Sequence, residues 1–185
     1  MKKAVFLDRD GVINKEVDVL RSFKQLRLLP GVAQAIRQLN KLSFLIIIVT
    51  NQPVIARGWL TEEEVDAIHN VLIKRLVQKG ARIDVIYYCP HHPNANLKKY
   101  RRHCRCRKPN IGLIKKAVEK FKINVKKSFM VGDSTRDILA GKCAGLKTIL
   151  VKTGYGGKDG KYSVKPDFVS KNLMEAVSII KKNAK

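Results

Sequence analysis

The chain has 185 residues, enough for one domain with a sizeable core, and no apolar run reaches membrane-spanning length. Lysine and arginine number 38 against 15 aspartates and glutamates, a net charge of +23, so polyanions and phosphorylated small molecules are the ligands its surface attracts. Its four cysteines, Cys89, Cys104, Cys106 and Cys143, fit metal ligands or buried thiols better than a disulfide framework.

Only Met1-Lys2-Lys3 precedes the first apolar run, which leaves no room for a signal peptide, so a cytoplasmic protein is expected. Residues 4–7 read as a first strand. It ends in Asp8-Arg9-Asp10-Gly11, two carboxylates one residue apart and then a glycine. In extended backbone, side chains two apart share a face, so Asp8 and Asp10 stand together at a strand tip. Alone, this could be a polar turn. Asn14 to Leu29 reads as a loop, and Pro30-Gly31 opens a helix with Val32, Ala35, Ile36 and Leu39 at helical spacing. Phe44 to Val49 is a continuous apolar run, typical of a strand buried on both faces, and it ends at Thr50-Asn51-Gln52-Pro53.

Thr61 and Glu64 form a capping box ahead of a helix that carries Val65, Ile68, Leu72 and Leu76 and stops at Gly80. Ile83 to Tyr88 reads as a third strand. Cys89 to Pro109 then shows no periodicity and is rich in His, Cys and Arg; loops of this length inside a compact domain are usually functional. A helix with Ile111, Ile114, Ala117, Val118 and Phe121 follows, then a fourth strand, Ser128 to Val131, ending at Gly132-Asp133. A short helix over Ile138 to Cys143, with Cys143 as a small buried residue, is closed by Gly145. Thr148 to Val151 is a fifth strand, Gly154 to Gly160 a glycine-rich loop, Phe168-Val169 an edge element, and Leu173 to Ile180 a closing helix. Strands alternating with helices predict a single Rossmann-like α/β domain over residues 1–185, a parallel sheet between two helical layers.

Three strand tips thus carry polar chemistry: Asp8/Asp10, Thr50/Asn51 and Asp133/Asp137. With Lys108 they suit phosphoryl transfer to an aspartate. Asp8 is the candidate nucleophile and Asp10 the acid and then base. Mg²⁺ would be held by Asp8, Asp133 and the backbone carbonyl of Asp10, while Thr50 and Lys108 hold phosphate oxygens. In the long loop, Cys89-Pro90-His91 and Cys104-Arg105-Cys106 give four donors of the right type for tetrahedral Zn²⁺, with His92 and His103 as spare candidates. Arg101, Arg102, Arg105 and Arg107 offset the charge of thiolates there.

Asp8-Arg9-Asp10-Gly11-Val12, Thr50-Asn51, Lys108-Pro109 and Gly132-Asp133-Ser134-Thr135-Arg136-Asp137 resemble, in order, the four motifs of the haloacid dehalogenase-like (HAD) phosphatases. The zinc loop, with DRDGVIN, TNQPVIARG and CRCRKP, is similar to the D-glycero-D-manno-heptose 1,7-bisphosphate 7-phosphatase group and its histidinol-phosphatase relatives. The resemblance implies a magnesium-dependent phosphatase without a large cap, using structural zinc to shape a loop that helps enclose the substrate. It implies substrate contacts from Arg9, Glu16, Asn51, Gln52 and Arg107, the last toward a second phosphate or the sugar. Three departures touch substrate fit: Glu16 to Leu20 lacks the frequent Gly-Tyr pair, Ser134 stands where some members carry lysine, and Pro53-Val54 replaces Ser-Gly. A monomer acting on a small sugar bisphosphate is the expectation. Histidinol phosphate, a phosphorylated DNA end and plain nucleic-acid binding are the alternatives. The charge leaves nucleic acid open, but no DNA-binding helix or aromatic platform accompanies it.

Overall fold

The apolar runs of the sequence become the strands of one six-stranded sheet. In the computed structural model, which describes residues 1–184, the strands are β1 (Ala4–Leu7), β2 (Leu45–Asn51), β3 (Val85–Cys89), β4 (Phe129–Gly132), β5 (Lys147–Val151) and β6 (Phe168–Ser170). All neighbours pair in parallel, in the order β3-β2-β1-β4-β5-β6. Alternate residues feed two cores. Val5, Leu7, Ile46 and Ile48 face α1 (Val32–Lys41), α3 (Glu62–Val77) and α6 (Leu173–Asn183). Ala4, Phe6, Ile47 and Val49 face α4 (Gly112–Phe121) and α5 (Thr135–Cys143). This is the expected three-layer arrangement, and burial on both faces is why β1 and β2 read as unbroken apolar runs.

The connection from β1 leads outward through β2 to β3, whereas β4 returns to the other side of β1. The carboxyl ends of β1 and β4 therefore flank a switch point, the place where open α/β sheets bind ligands. The Asp8 amide donates to the Val131 carbonyl at 3.0 Å, carrying the β1–β4 pairing to the edge of that crevice.

Several details differ from expectation. Strand β2 runs on through Thr50 and Asn51, because β3 pairs with both. A four-residue helix, α2 (Pro53–Ala56), follows directly and is too short to show a period. The loop after β3 carries a 3₁₀ turn at Lys98–Tyr100 and owns part of a small core. Ala95 and Tyr100 are buried with Val54, Ile55 and Ala56 of α2 and Val65 of α3. The Tyr100 hydroxyl donates to Glu62 at 2.6 Å. Cys143 is exposed rather than buried: it ends α5, whose inward positions include Ile138, Ala140 and Gly141.

The capping box of α3 forms as read. Thr61 Oγ1 accepts from the Glu64 amide at 3.2 Å, and Glu64 Oε2 from the Thr61 amide at 2.8 Å. Thr61→Ala is expected to lower stability by about 1 kcal/mol. Urea unfolding tests this as a lower midpoint with an unchanged slope.

Candidate active site

Lys108 is the hub of the crevice. Its ammonium lies 3.0 Å from Asp8 Oδ1 and 2.7 Å from Asp137 Oδ1, and it donates to the Val49 carbonyl at 2.7 Å. The side chain is 1% exposed. Its backbone is held as firmly: Asn51 Oδ1 accepts from the Lys108 amide at 2.9 Å, and Asn51 Nδ2 donates to the Lys108 carbonyl at 3.0 Å. Asn51, read as a substrate contact, thus spends both ends of its amide on positioning the lysine.

Asp8 and Asp133 leave the tips of β1 and β4. One oxygen each from Asp8, Asp133 and Asp137 lies within 4.8 Å of the others. Three carboxylates around one ammonium leave negative charge uncompensated. Burial, with Asp137 beside it, pushes the Asp8 carboxyl up to about 6. Burial and the Asp8 charge push Asp133 up to about 8. Asp137 stays below its ordinary value: burial works against its ionisation, but Lys108 and the Ser134 hydroxyl outweigh burial. This donor set fits a hard divalent cation, which takes carboxylate oxygens and relieves their repulsion.

Asp133 is packed by bare backbone. A Cβ on Gly11 would sit 2.1 Å from its Oδ2, and one on Gly154 2.0 Å from the same atom. Both glycines have positive φ, and both serve this close approach. The Tyr155 amide donates to Asp133 Oδ2 at 2.8 Å, and Thr153 Oγ1 donates to the Gly11 carbonyl at 2.6 Å. The glycine-rich loop after β5 is therefore a wall of the site.

Asp10 is held differently from the other aspartates. Arg9 Nη2 donates to its Oδ1 and Oδ2 at 3.0 and 2.8 Å, Asn14 to Oδ1 at 2.8 Å, and Gln52 to Oδ2 at 3.0 Å. Burial opposes ionisation, yet the Arg9 guanidinium and these hydrogen bonds hold the carboxyl below its usual value. Asp10 is thus outside the metal-compatible trio by its side chain, leaving only its backbone carbonyl for that role. Arg9, expected as a substrate contact, does not line the cavity. It is 1% exposed and points into the interior, where it also meets Gln52 Oε1 at 3.1 Å and His69 Nε2 at 3.0 Å. His69, on α3, is driven down to about 3 by burial and by Arg9, so it is neutral and accepts that bond. Gln52 is likewise fully engaged, its Nε2 donating to Thr50 Oγ1 at 2.9 Å as well as to Asp10.

Asp8, Asp10, Thr50, Gln52, Lys108 and Asp133 line a cavity of about 280 Å³, together with Glu16, Arg57, His92, Arg107, Arg136 and Lys161; Arg9, His69 and Asp137 lie behind it. Glu16 is pushed up to about 7 by burial and then by Asp10. Sequence reading missed His69, Arg57, Arg136 and Lys161, and saw Asp137 without its task. The signal for Asp137 was its place at the fourth tip beside Asp133. The long loop gathers Cys89, His91, Cys104 and Cys106 as read. The sulfurs are 3.0–3.4 Å apart, and His91 Nδ1 lies 3.4 Å from Cys106 Sγ and 3.7 Å from Cys89 Sγ. A tetrahedral ion with metal–sulfur bonds of about 2.3 Å puts its ligands roughly 3.5–3.8 Å apart; the sulfurs stand a few tenths of an ångström closer than that, and the donor set is the one Zn²⁺ takes. His92 and His103 lie outside this group.

A family model described as HAD-hydrolase-like matches residues 105–176. A D-glycero-beta-D-manno-heptose-1,7-bisphosphate 7-phosphatase of Pasteurella multocida is 38% identical over 183 residues, covering 98% of both chains. The enzyme of the same name from Escherichia coli K12 is 38% identical over 152 residues, 82% of this chain and 80% of that one. The chain belongs to the heptose-1,7-bisphosphate 7-phosphatase family of HAD-like hydrolases. A crystal structure of the D,D-heptose 1,7-bisphosphate phosphatase of B. bronchiseptica, complexed with magnesium and phosphate, aligns with a TM-score of 0.86. It is 32% identical and covers 97% of this chain and 98% of that one. The family's fold and the sheet described above are the same, as the resemblance in the motifs implied.

The raised carboxyls set a pH dependence. Asp8 and Asp133 bind protons more tightly folded than unfolded, so their contribution to metal-free stability is full below pH 3.8 and is lost as pH rises through about 6 and about 8. A dication competes with those protons. The rise in Tm on adding Mg²⁺ is therefore expected to be larger at pH 8 than at pH 5, as measured by differential scanning fluorimetry; an equal or reversed increment contradicts the assignment.

Proposed function

We propose that this enzyme hydrolyses the 7-phosphate of D-glycero-D-manno-heptose 1,7-bisphosphate through an aspartyl phosphate on Asp8. The observation that carries the reading is the convergence of Asp8, Lys108 and Asp133 at the switch point, in a chain so similar to enzymes of that name. Asp8 Oδ1 is taken by the Arg9 amide at 2.7 Å and by Lys108, which leaves Oδ2 free to attack phosphorus. As the Asp8–phosphorus bond forms, the bond from phosphorus to the sugar oxygen breaks, and Asp10 supplies the proton that oxygen needs. Asp10 rests as a carboxylate, and the charge of an arriving phosphate raises its affinity for that proton. Water then attacks the aspartyl phosphate, Asp10 takes its proton, and phosphate leaves with the Asp8 carboxylate restored.

Thr50 Oγ1 already accepts from Gln52, so its own hydrogen is available to a phosphate oxygen. Lys108 holds Asp8 in place and faces the charge that builds at the phosphoryl group. Asp8, Asp133 and the Asp10 backbone carbonyl are the proposed Mg²⁺ ligands. The ion, when bound, neutralises phosphate oxygens and so lets an anionic nucleophile approach.

Zinc is assigned to Cys89, His91, Cys104 and Cys106, where it organises the loop that ends in Arg107 and Lys108. Three free thiols gathered around an imidazole persist in a reducing compartment, which supports a cytoplasmic location. No described helix is long and apolar enough to cross a membrane.

Asp8→Asn is expected to lower kcat on the heptose bisphosphate by on the order of 10⁴ or more, with the Tm within a few degrees of the parent. A phosphate-release assay on both anomers of the heptose bisphosphate, fructose 1,6-bisphosphate, histidinol phosphate and a 3′-phosphorylated oligonucleotide checks the substrate. Highest kcat/KM on any but a heptose bisphosphate overturns the reading. Cys104→Ser is expected to bring zinc content below one equivalent and to open residues 89–109 to proteolysis, as measured by elemental analysis and limited digestion. A wild-type protein purified without zinc removes the zinc assignment.

A further inference from the structure

The reaction uses Asp8, Asp10, Thr50, Lys108 and Asp133 around one phosphoryl group. The same cavity holds four more cations that this chemistry does not employ: Arg57, Arg107, Arg136 and Lys161. None of the four pairs with a carboxylate among the described residues. Arg107 donates only to the His91 carbonyl, at 3.1 Å, and Arg57 lies over the Trp59 ring at 4.8 Å. They arrive from four separate elements: Arg57 at the end of α2, Arg107 from the zinc loop, Arg136 from the first turn of α5, and Lys161 from the loop after β5.

Lys161 is brought there by a latch. Asp159 accepts from the Thr135 amide at 2.8 Å and from the Thr135 hydroxyl at 2.9 Å. The Tyr162 amide donates to the same hydroxyl at 3.2 Å. The two flanks of Lys161 are thus fastened to Thr135, the residue before Arg136. Asp159, the carboxylate nearest Lys161 in this loop, is occupied by the latch and forms an ion pair with neither cation. The repulsion is visible in the acidity of Lys161, which is held below its ordinary value first by Arg136, then by burial and by Arg107. Like charges gathered without counter-charge await an anion.

We infer that Arg136 and Lys161, fixed together by the Asp159–Thr135 latch, form the outer wall of a second anion subsite that binds the non-reacting phosphate of the substrate opposite Arg107 and Arg57. This rests on the proposed bisphosphatase reading and deepens it, because it moves selectivity for a second phosphate onto the α5 and β5 side of the cavity. Arg136 and Lys161 are binding residues here, and Asp159 is a positioning residue that acts through Lys161.

The test compares the heptose 1,7-bisphosphate with the heptose 7-phosphate, which lacks only the second phosphate, in Mg²⁺ buffer with the zinc-loaded protein. The readout is the ratio of kcat/KM for the two. Arg136→Ala and Lys161→Ala are each expected to lower that ratio about tenfold, with the loss falling on KM for the bisphosphate rather than on kcat. Arg136→Lys and Lys161→Arg should restore most of it, which a purely structural role for either side chain would not. Asp159→Asn is expected to lower the ratio in the same direction by freeing the loop. A wild type that hydrolyses the bisphosphate while all three variants keep its ratio overturns this inference and leaves the function standing. A ratio of one in the wild type overturns it as well. A wild type with no bisphosphate turnover removes the function, and the subsite with it.

Discussion

The ammonium of Lys108 is the constraint on which the site depends. It is buried, and it is shared by Asp8, Asp137 and the Val49 carbonyl. Burial of an unpaired lysine disfavours its charge, but the two carboxylates more than offset this and hold its pKa above the ordinary value. A charge so placed cannot be moved without exposing its partners, which is why its backbone is pinned by Asn51 and its loop is tied to a cysteine and histidine cluster. The long irregular segment after β3 delivers one side chain to a fixed point between β1 and β4. The metal-compatible cluster within it makes a polar loop rigid enough to do so.

Much of this was legible in the sequence. Asp8, Thr50 and Asp133 stand at strand tips, where alternating βα units must place their ligand-binding residues, and the structure finds them around one crevice. The Cys-x-His and Cys-x-Cys pairs gave the metal-compatible cluster because four such donors seldom fall within a segment that has no periodicity. What the reading lacked was the direction of side chains. Arg9 lies between two aspartates, and the alternation that puts Asp8 and Asp10 on one face puts Arg9 on the other. That signal was present and pointed inward, to Gln52 and a neutral His69. Asn51 and Gln52, read as substrate contacts from their place at a tip, line the cavity, and their amide groups also hold Lys108, Asp10 and Thr50 in place. Cys143 sits in a helical pattern, yet at the last turn, where the face has rotated to solvent.

Other features had no local signal. Arg136 and Lys161 are 25 positions apart, and only the Asp159–Thr135 contact shows that they share a wall. His69 differs from its helix neighbours in polarity, but nothing local names Arg9 as its partner 60 positions away. Tertiary contacts of this span are invisible to periodicity. The structure also separates two kinds of aspartate that spacing alone groups together. Asp10 is kept ionised by a guanidinium, while Asp133 is surrounded by carboxylates and bare glycine backbone. Proton transfer and cation binding are thereby assigned to different environments within one cavity.

The near-touching backbones of Gly11 and Gly154 have a consequence for synthesis of the chain. Asp8, the proposed nucleophile, is among the first residues to leave the ribosome, but the wall that seats Asp133 beside it is translated about 140 residues later. The strands β1 and β2 are complete long before that wall exists, and α6, which covers one face of both, comes later still. A chain cut short before Gly154 therefore holds the proposed nucleophile but lacks both the wall beside Asp133 and the last strand of the sheet.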